Sequence, residues 1–456
     1  MTDSTIRLPA VAGLFYPGDQ HTLQTIVDDL LQQSPRFTLQ PKAMIVPHAG
    51  YMYSGSTAAR AYSSLDKFAD TIKKVVMLGP AHTVYFKGIA LDSANYFATP
   101  LGDIPIDESL RRQALKLPFV QSLSQAHSKE HCLEVQLPFC QRVLGDFTLL
   151  PFVVGDCSKE QVMQLLDVVW GGPETLIVIS SDLSHYLPYA VAQQKDSETC
   201  LFIDSLEEEA IGHDSACGYY PLRGFLAYAR QRGMVANRLA LCNSGDTAGD
   251  KSRVVGYAAY HFYEQLRVSD YCGEELLALA NQTIEAQAIE GRSFEYEPSH
   301  YSDVLNLLIP SFITLSKQGQ LRGCMGSLKA QDNLGRNVIH NAHQAAFADP
   351  RFEPVQGHEI EELSISISLL TPLVPVQFSS YEQLLEQVRP GIDGLLLQYQ
   401  HYHATFLPSV WETLPRKEEF IHHLLVKMGL AKNFWSPQMQ AWTYQTEYIQ
   451  AANTIA

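Results

Sequence analysis

The chain has 456 residues, too many for one typical core, so two or three domains are expected. Its 33 basic residues stand against 49 acidic ones, a net charge of −16. That balance excludes generic affinity for nucleic acid or an anionic membrane, where a basic face supplies the binding. No apolar run approaches the ~18 residues that a membrane span requires, and the start, Met1 to Arg7, lacks the basic-then-apolar pattern of a secretory signal. The eight cysteines are scattered without a Cys-x-x-Cys pair. That usage fits a reducing compartment, so the expected location is the cytoplasm.

In chain order, the first short apolar run is Ala43-Met44-Ile45-Val46, which meets Pro47-His48-Ala49-Gly50. Residues 54–65, rich in Ala and Ser, read as the helix that follows it. Val75-Val76-Met77-Leu78 then runs into Gly79-Pro80-Ala81-His82, and Leu176-Ile177-Val178-Ile179 into Ser180-Ser181-Asp182-Leu183-Ser184-His185. Helices are expected over 161–170 and 191–211, and an aromatic strand over 253–263. Short β-branched runs bounded by Gly, Pro and Ser read as buried strands, and alternation of strand and helix predicts an α/β domain. Its sheet is expected to be mainly parallel, with helices on both faces.

The polar stretch 264–270 breaks this rhythm, and the boundary is placed there, giving domains 1–267 and 268–456. Residues 274–290 read as an amphipathic helix stopped by Gly291. Residues 312–316 and 321–328 flank Lys317-Gln318-Gly319-Gln320, a hairpin turn. Leu363-Ser364-Ile365-Ser366-Ile367-Ser368-Leu369 alternates strictly, which predicts one buried and one polar face. A second hairpin is expected over 395–407 and a helix over 417–428. Hairpins mixed with helices make the second half α+β.

Three strand ends followed by histidines share one grammar. In open α/β sheets ligands bind beyond the carboxyl ends of the strands. Parallel neighbours would therefore bring His48, His82, Asp182 and His185 to one crevice, the composition of a metal or acid–base site. His131 and Glu134, spaced by three, would share a helical face as a ligand or acid–base pair. Cys242, in Leu241-Cys242-Asn243-Ser244-Gly245-Asp246, is either an accessible thiol in a polar turn or a buried inert one.

Together, the segment Arg7 to Gly18, Pro47-His48-Ala49-Gly50-Tyr51, Leu78-Gly79-Pro80-Ala81-His82, Glu130-His131-x-x-Glu134-x-x-Leu137-Pro138 and Ser180-Ser181-Asp182-x-x-His185 resemble the Memo family over about the first 265 residues. The resemblance implies a fold like that of class III extradiol dioxygenases. It also implies a metal held by His48, His82 and Cys242, with Asp182 and His185 as neighbouring polar residues. A thiolate in place of the dioxygenases' carboxylate shifts preference toward copper or zinc while permitting iron. The implied chemistry is therefore that of a redox-active metal site, not ring cleavage. His185 or His131 would move protons and Asp182 would orient. The alternative that the resemblance carries is an adaptor using the same crevice to bind a peptide or partner.

In the second half, Leu321-Arg322-Gly323-Cys324-Met325-Gly326-Ser327-Leu328 puts two glycines into a strand, the mark of a bulge or a close backbone approach. Alternation would place Arg322 and Cys324 on one face, and an adjacent guanidinium can activate a thiol. With Asp349-Pro350-Arg351-Phe352 and Ala404-Thr405-Phe406-Leu407-Pro408, this run resembles the AMMECR-type domain over about 272–450. That resemblance implies a fold and a candidate groove at Arg322 and Cys324, and no reaction. A Memo-type and an AMMECR-type part in one chain are similar to two components of the AmmeMemoRadiSam system. The expected partner is thus a radical S-adenosylmethionine protein, and the substrate an unspecified small molecule or peptide.

Overall fold

A computed structural model of the chain describes residues 5–247 and 249–451. It divides into two compact units. One runs to Arg232 and resumes over Ala236–Glu264; the other takes Gly233–Val235 and the chain from Gln265.

In the first unit, β1 (Ala43–Val46), α1 (Tyr51–Tyr62), β2 (Lys74–Pro80), β3 (Ile89–Leu91), β4 (Val120–Ser122), β5 (Thr148–Val154), β6 (Thr175–Ser180), β7 (His185–Leu187), α2 (Tyr189–Asp204), α3 (Tyr219–Gln231), β8 (Val235–Asn243) and β9 (Val254–Tyr263) follow in order. The main sheet runs β7-β9-β1-β6-β2-β5-β3-β4, with β8 paired to β9. Its centre, β1-β6-β2-β5, is parallel. The outer pairs β9–β1, β7–β9 and β3–β5 are antiparallel, so the sheet is mixed where a mainly parallel one was expected. The central strands show why their sequences are continuous apolar runs: every residue of β1 and β6 is buried. A parallel sheet covered on both faces favours apolar side chains, and the polar residues of β6, Thr175 and Ser180, stand at its two ends.

Register decides what meets at the top. Val46 of β1 pairs with Ser180 of β6, and Leu78 of β2 pairs with Ile179. The three strands end level, and His48, Asp182 and His82 each lie two residues beyond a strand's last residue.

The second unit contains α4 (Ser269–Glu290), β10 (Ser311–Lys317), β11 (Gln320–Gly326), α5 (Leu334–Phe347), β12 (Leu363–Leu370), β13 (Val374–Pro375), β14 (Gly394–Tyr399), β15 (Tyr402–Phe406), α6 (Lys417–Lys427), β16 (Gln440–Tyr444) and β17 (Thr446–Gln450). They form two four-stranded sheets, β11-β10-β12-β17 and β13-β16-β14-β15, whose strand pairs are antiparallel. Gly291 ends α4 with a left-handed φ of 68°, as a C-terminal stop should. Gln318 and Gly319 both have positive φ, 53° and 76°, the conformation a two-residue hairpin turn demands. The alternation in β12 misleads over most of its length: Ser366 and Ser368 are buried along with the isoleucines, and the polar side is open at Ser364.

Candidate metal centre

The level strand ends bring three imidazoles together. One ring nitrogen each from His48, His82 and His131 lies within 4.8 Å of the others. The His48 ring stands edge-on to His82 and His131, with centroids 5.1 and 5.4 Å away, and His82 stacks on His131 at 4.7 Å.

Hydrogen bonds fix which nitrogen of two rings faces the crevice. Ser180 Oγ gives its one proton to Cys132 O at 2.6 Å and accepts from Gln136 Nε2 at 3.0 Å. It can therefore only accept from His48 Nδ1, 3.0 Å away, which leaves the lone pair on His48 Nε2. For His82, Glu130 Oε1 takes Nδ1–H at 2.8 Å and Oε2 takes the backbone N–H at 2.7 Å, again leaving Nε2 bare. A carboxylate behind a histidine is the usual brace of a metal-ligating imidazole. Burial alone would raise the Glu130 carboxyl, but the hydrogen bonds from His82 and from the Cys132 N–H hold it down to about 2. Burial, reinforced by the neighbouring imidazoles His82 and His131, drives His48 well below its ordinary value. Burial and His82 likewise take His131 to about 4. Neutral imidazoles are the form a metal binds.

The remaining polar groups frame this set. Asp182 is buried, and its Oδ1 accepts the His48 backbone N–H at 2.7 Å, so it orients the turn that carries His48. Burial pushes its carboxyl up to about 7. His185 is exposed; its Nδ1 lies 2.9 Å from Leu183 O, which leaves Nε2 free. A cavity of about 310 Å³, lined by His185, Lys195, His213, Asp214 and Cys217, opens beside it.

Two expected residues are placed elsewhere. Glu134 does not share a helical face with His131, because the segment turns into a 3₁₀ helix, Glu134–Gln136, that begins after His131. The Glu134 carboxylate pairs with buried Arg7 and also accepts from Ala10 N (2.7 Å), Val11 N (3.0 Å) and Tyr16 Oη (2.6 Å). Its acceptor positions are occupied by the N-terminal segment, and its role is to clamp that segment. Cys242 lies outside the imidazole set. On β8 its thiol faces α1, where Thr57 Oγ1 is 3.0 Å away. Two other thiols come near the rings: Cys217 Sγ is 3.2 Å from His48 Nε2, and the buried Cys132 thiol lies within 4.8 Å of ligand atoms of His82 and Glu130. Glu130 and Cys217 were not singled out in the sequence. Glu130 had a signal, adjacency to His131 in the same motif; Cys217 had only a small-residue loop before a helix.

In the second unit the expected pairing of Arg322 with Cys324 is not formed. The register slips between Leu315 and Ser316, so Arg322 sits at a bulge and is turned out of alternation. Its guanidinium forks onto Glu359 at 3.1 and 3.0 Å. Beside Cys324 stand instead Thr314 Oγ1, 3.3 Å from Sγ, and Arg351, which donates to Cys324 O at 3.2 Å and pairs with Asp349.

A family model described as Memo-like protein matches residues 7–261. The chain belongs to the Memo family. A second model, AMMECR1, matches residues 277–449, so a Memo domain and an AMMECR1 domain are fused in one chain. A MEMO1 family protein of Aquifex aeolicus is 39% identical over 268 residues, covering 56% of this chain and 99% of the relative. One from Sulfolobus acidocaldarius is 34% identical over 284 residues, with 56% and 99% covered. Among solved structures, an uncharacterized protein from Pyrococcus horikoshii is 28% identical with a TM-score of 0.37, covering 39% of this chain and 89% of that one. Among the described residues, no helix is long and apolar enough to cross a membrane.

Proposed function

We propose that the Memo domain is a metal-dependent redox module of class III extradiol-dioxygenase-like fold that acts on a small molecule. The observation that carries this reading is the set of three ring nitrogens of His48, His82 and His131 within 4.8 Å of one another. Imidazole donors suit copper, iron and zinc, with copper or iron required for redox work. Such an ion, when bound, would supply Lewis-acid and one-electron chemistry at a position open to substrate. The carboxylates beside the rings serve as braces, Asp182 Oδ1 accepting from His48 N–H and Glu130 Oε1 from His82 Nδ1–H, so the proposed donor set is imidazole rather than two histidines and a carboxylate. Ring cleavage of the extradiol type is therefore not the proposed reaction.

This chain's own residues do the rest. The cavity beside His185 and Cys217 is at the lower end of the size range for small-molecule sites, and Lys195 and Asp214, ion-paired with each other, line it. His185, with Nε2 unpaired, would hold or pass a proton at the edge of that cavity. The fusion of Memo and AMMECR1 domains raises the local concentration of one near the other. On it rests the proposal that both serve one task, together with a radical S-adenosylmethionine partner. The functional parts are taken as 1–267 and 268–456. Eight free cysteines support a cytoplasmic setting.

Metal analysis of anaerobically purified protein, followed by oxygen uptake with a reductant, tests the reading. One copper or iron per chain and uptake slowed by His185→Ala, with the metal retained, is the expected result. A metal-free crevice even after loading, with His185→Ala abolishing peptide or partner capture, would move the Memo domain to the adaptor class.

A further inference from the structure

A second cavity, of about 460 Å³, lies beyond the carboxyl end of β5, on the loop 156–158 and the first turn of the helix Lys159–Val169. Because β5 is parallel to β2, this cavity opens at the same edge of the sheet as the imidazoles. Its volume is in the range of small-molecule sites. His213 lines both this cavity and the smaller one beside His185, so the two are neighbours across one ring. We infer that the larger cavity binds a carboxylate, with Lys159 and Arg223 as its receptors and Tyr219 and Tyr220 as the surface for the body of the ligand.

The two cations already hold a carboxylate, and it is one that can leave. Glu209, in the 3₁₀ turn Glu208–Ala210, presents Oε1 to Lys159 and Oε2 to Arg223. Its side chain is 65% exposed, against 25% and 22% for Lys159 and Arg223. Such a pair is worth little, because water solvates the exposed carboxylate nearly as well. Neither cation depends on Glu209 for its position. Buried Glu208 Oε1 takes Lys159 Nζ at 3.1 Å and Arg230 at 2.7 Å. Arg223 donates from Nε to Glu208 O at 3.0 Å and from Nη1 to Tyr219 Oη at 2.8 Å. With Glu209 turned out to solvent, Lys159, Arg223 and Arg230 would face the single charge of Glu208, and two donors would still be aimed at the vacated point. A ligand carboxylate offers the same pair of oxygens to them. Donors held in place beforehand cost little ordering on binding.

The rest of the lining selects the ligand. His213 stacks on Tyr219 with centroids 3.8 Å apart, and Tyr220 stands edge-on to both at 5.5 and 5.1 Å. These rings favour a flat or apolar body next to the carboxylate. Asp156 and Glu160 also line the cavity, Asp156 Oδ2 accepting from Tyr85 Oη at 3.3 Å. Their charges repel a dianion more than a monoanion, so a carboxylate fits and a phosphate does not. A free organic acid and a peptide C-terminus share this chemistry. That the ligand is the substrate of the metal centre rests on the function proposed above and on His213 joining the two cavities; the carboxylate site itself does not.

Calorimetric titration of the full-length chain with hydrocinnamate, without added metal, provides the test. The wild-type protein should bind hydrocinnamate but not its methyl ester, and inorganic phosphate should not compete. Arg223→Gln should weaken binding at least about tenfold. Glu209→Gln removes the resident competitor and should strengthen it about two- to fivefold. The opposite signs separate a binding site from a structural ion pair, since lost folding weakens both variants. The ester comparison needs no variant, so a misfolded Arg223→Gln protein leaves the test intact. Acetyl-glycyl-glycyl-phenylalanine and its amide decide the source. Binding tighter than that of hydrocinnamate and lost on amidation assigns the site to a peptide C-terminus, and weaker binding assigns it to a free acid. Equal binding of acid and ester, competition by phosphate, weaker binding in Glu209→Gln, or binding of neither probe overturns the proposal. With cobalt(II) added, the ring protons of bound hydrocinnamate should broaden. Cobalt bound without broadening overturns the link to the metal centre, and cobalt not bound overturns the metal reading; the carboxylate site stands in both cases.

Discussion

At the scale of single residues, the crevice depends on side chains that touch no ligand. Glu130 holds His82 through both oxygens, one on Nδ1 and one on the backbone N–H. Replacing it by Gln removes the charge and presents an amide donor to one of those N–H groups. We predict that Glu130→Gln weakens metal binding by about 10–100-fold with His82 still in place, measured by competition with a chelator. The buried histidines also set a pH dependence for the metal-free protein. His131 and His261 titrate near 4 in the folded chain, both lowered mainly by burial, against an ordinary value of 6.5. The unfolded chain therefore binds more protons between about 6.5 and 4. The stability these residues contribute is fully present above that window and is lost as pH falls through it. Glu130 extends the loss from about 4.5 toward 2. Asp182, raised to about 7, Asp204, raised to about 6, and Asp196, also raised by burial, act the other way, their contributions fading as pH rises. With His48 and His127 lowered as well, the four histidines outnumber these three carboxyls, so urea midpoints should drop between pH 6.5 and 4 by the equivalent of a few kcal/mol; a flat profile would refute the burial assignments. Much of this was legible in the sequence, since His48, His82, Asp182 and His185 all follow strand ends. Cys217 was not, because it is brought in by tertiary packing of a loop that follows no strand. The His131–Glu134 spacing misled because it was read as α-helix where the chain makes a turn and a 3₁₀ helix, and because buried Arg7 needs Glu134 as its counter-ion.

At the scale of elements, periodicity identified strands and helices well where both faces of the element have one environment. The runs that became β1, β2 and β6 were visible because parallel central strands bury both faces and so read as near-continuous apolar runs. The hairpin β10–β11 was visible through its Gln-Gly turn. What alternation could not supply was the bulge within β11. A one-residue slip re-aims a side chain, and here it sends Arg322 to Glu359 and leaves Arg351 beside the strand at Cys324. The consequence is measurable in alkylation kinetics. Arg322→Ala should leave the rate of Cys324 modification unchanged, whereas Arg351→Ala should alter it by freeing the Cys324 carbonyl and the Asp349 carboxylate that receives the Cys324 N–H. Equal effects of the two substitutions would mean that the bulge does not separate them in solution.

At the scale of the whole molecule, the two units each carry their own buried core. The second, for instance, packs Leu395, Leu397, Trp411, Phe420, Leu424 and Leu425 into one cluster. The boundary expected from the sequence lies near residue 268, at a change of rhythm from alternating strand and helix to local hairpins, and the second compact unit takes the chain from Gln265 together with Gly233–Val235. Every group placed at the candidate metal centre belongs to the first unit. Metal binding should therefore be thermodynamically linked to the unfolding of that unit alone. A ligand that binds only the folded form stabilises it by about 2.7 kcal/mol when its free concentration is a hundred times Kd. Calorimetry of the intact chain should resolve two transitions, and adding the metal should raise one while the other stays fixed. Cutting near residue 268 should separate the two transitions into two fragments, with the metal-sensitive one in the N-terminal piece. A single transition that moves as a whole with metal would show that the units unfold together, and a metal response in the C-terminal fragment would place a second site outside the crevice.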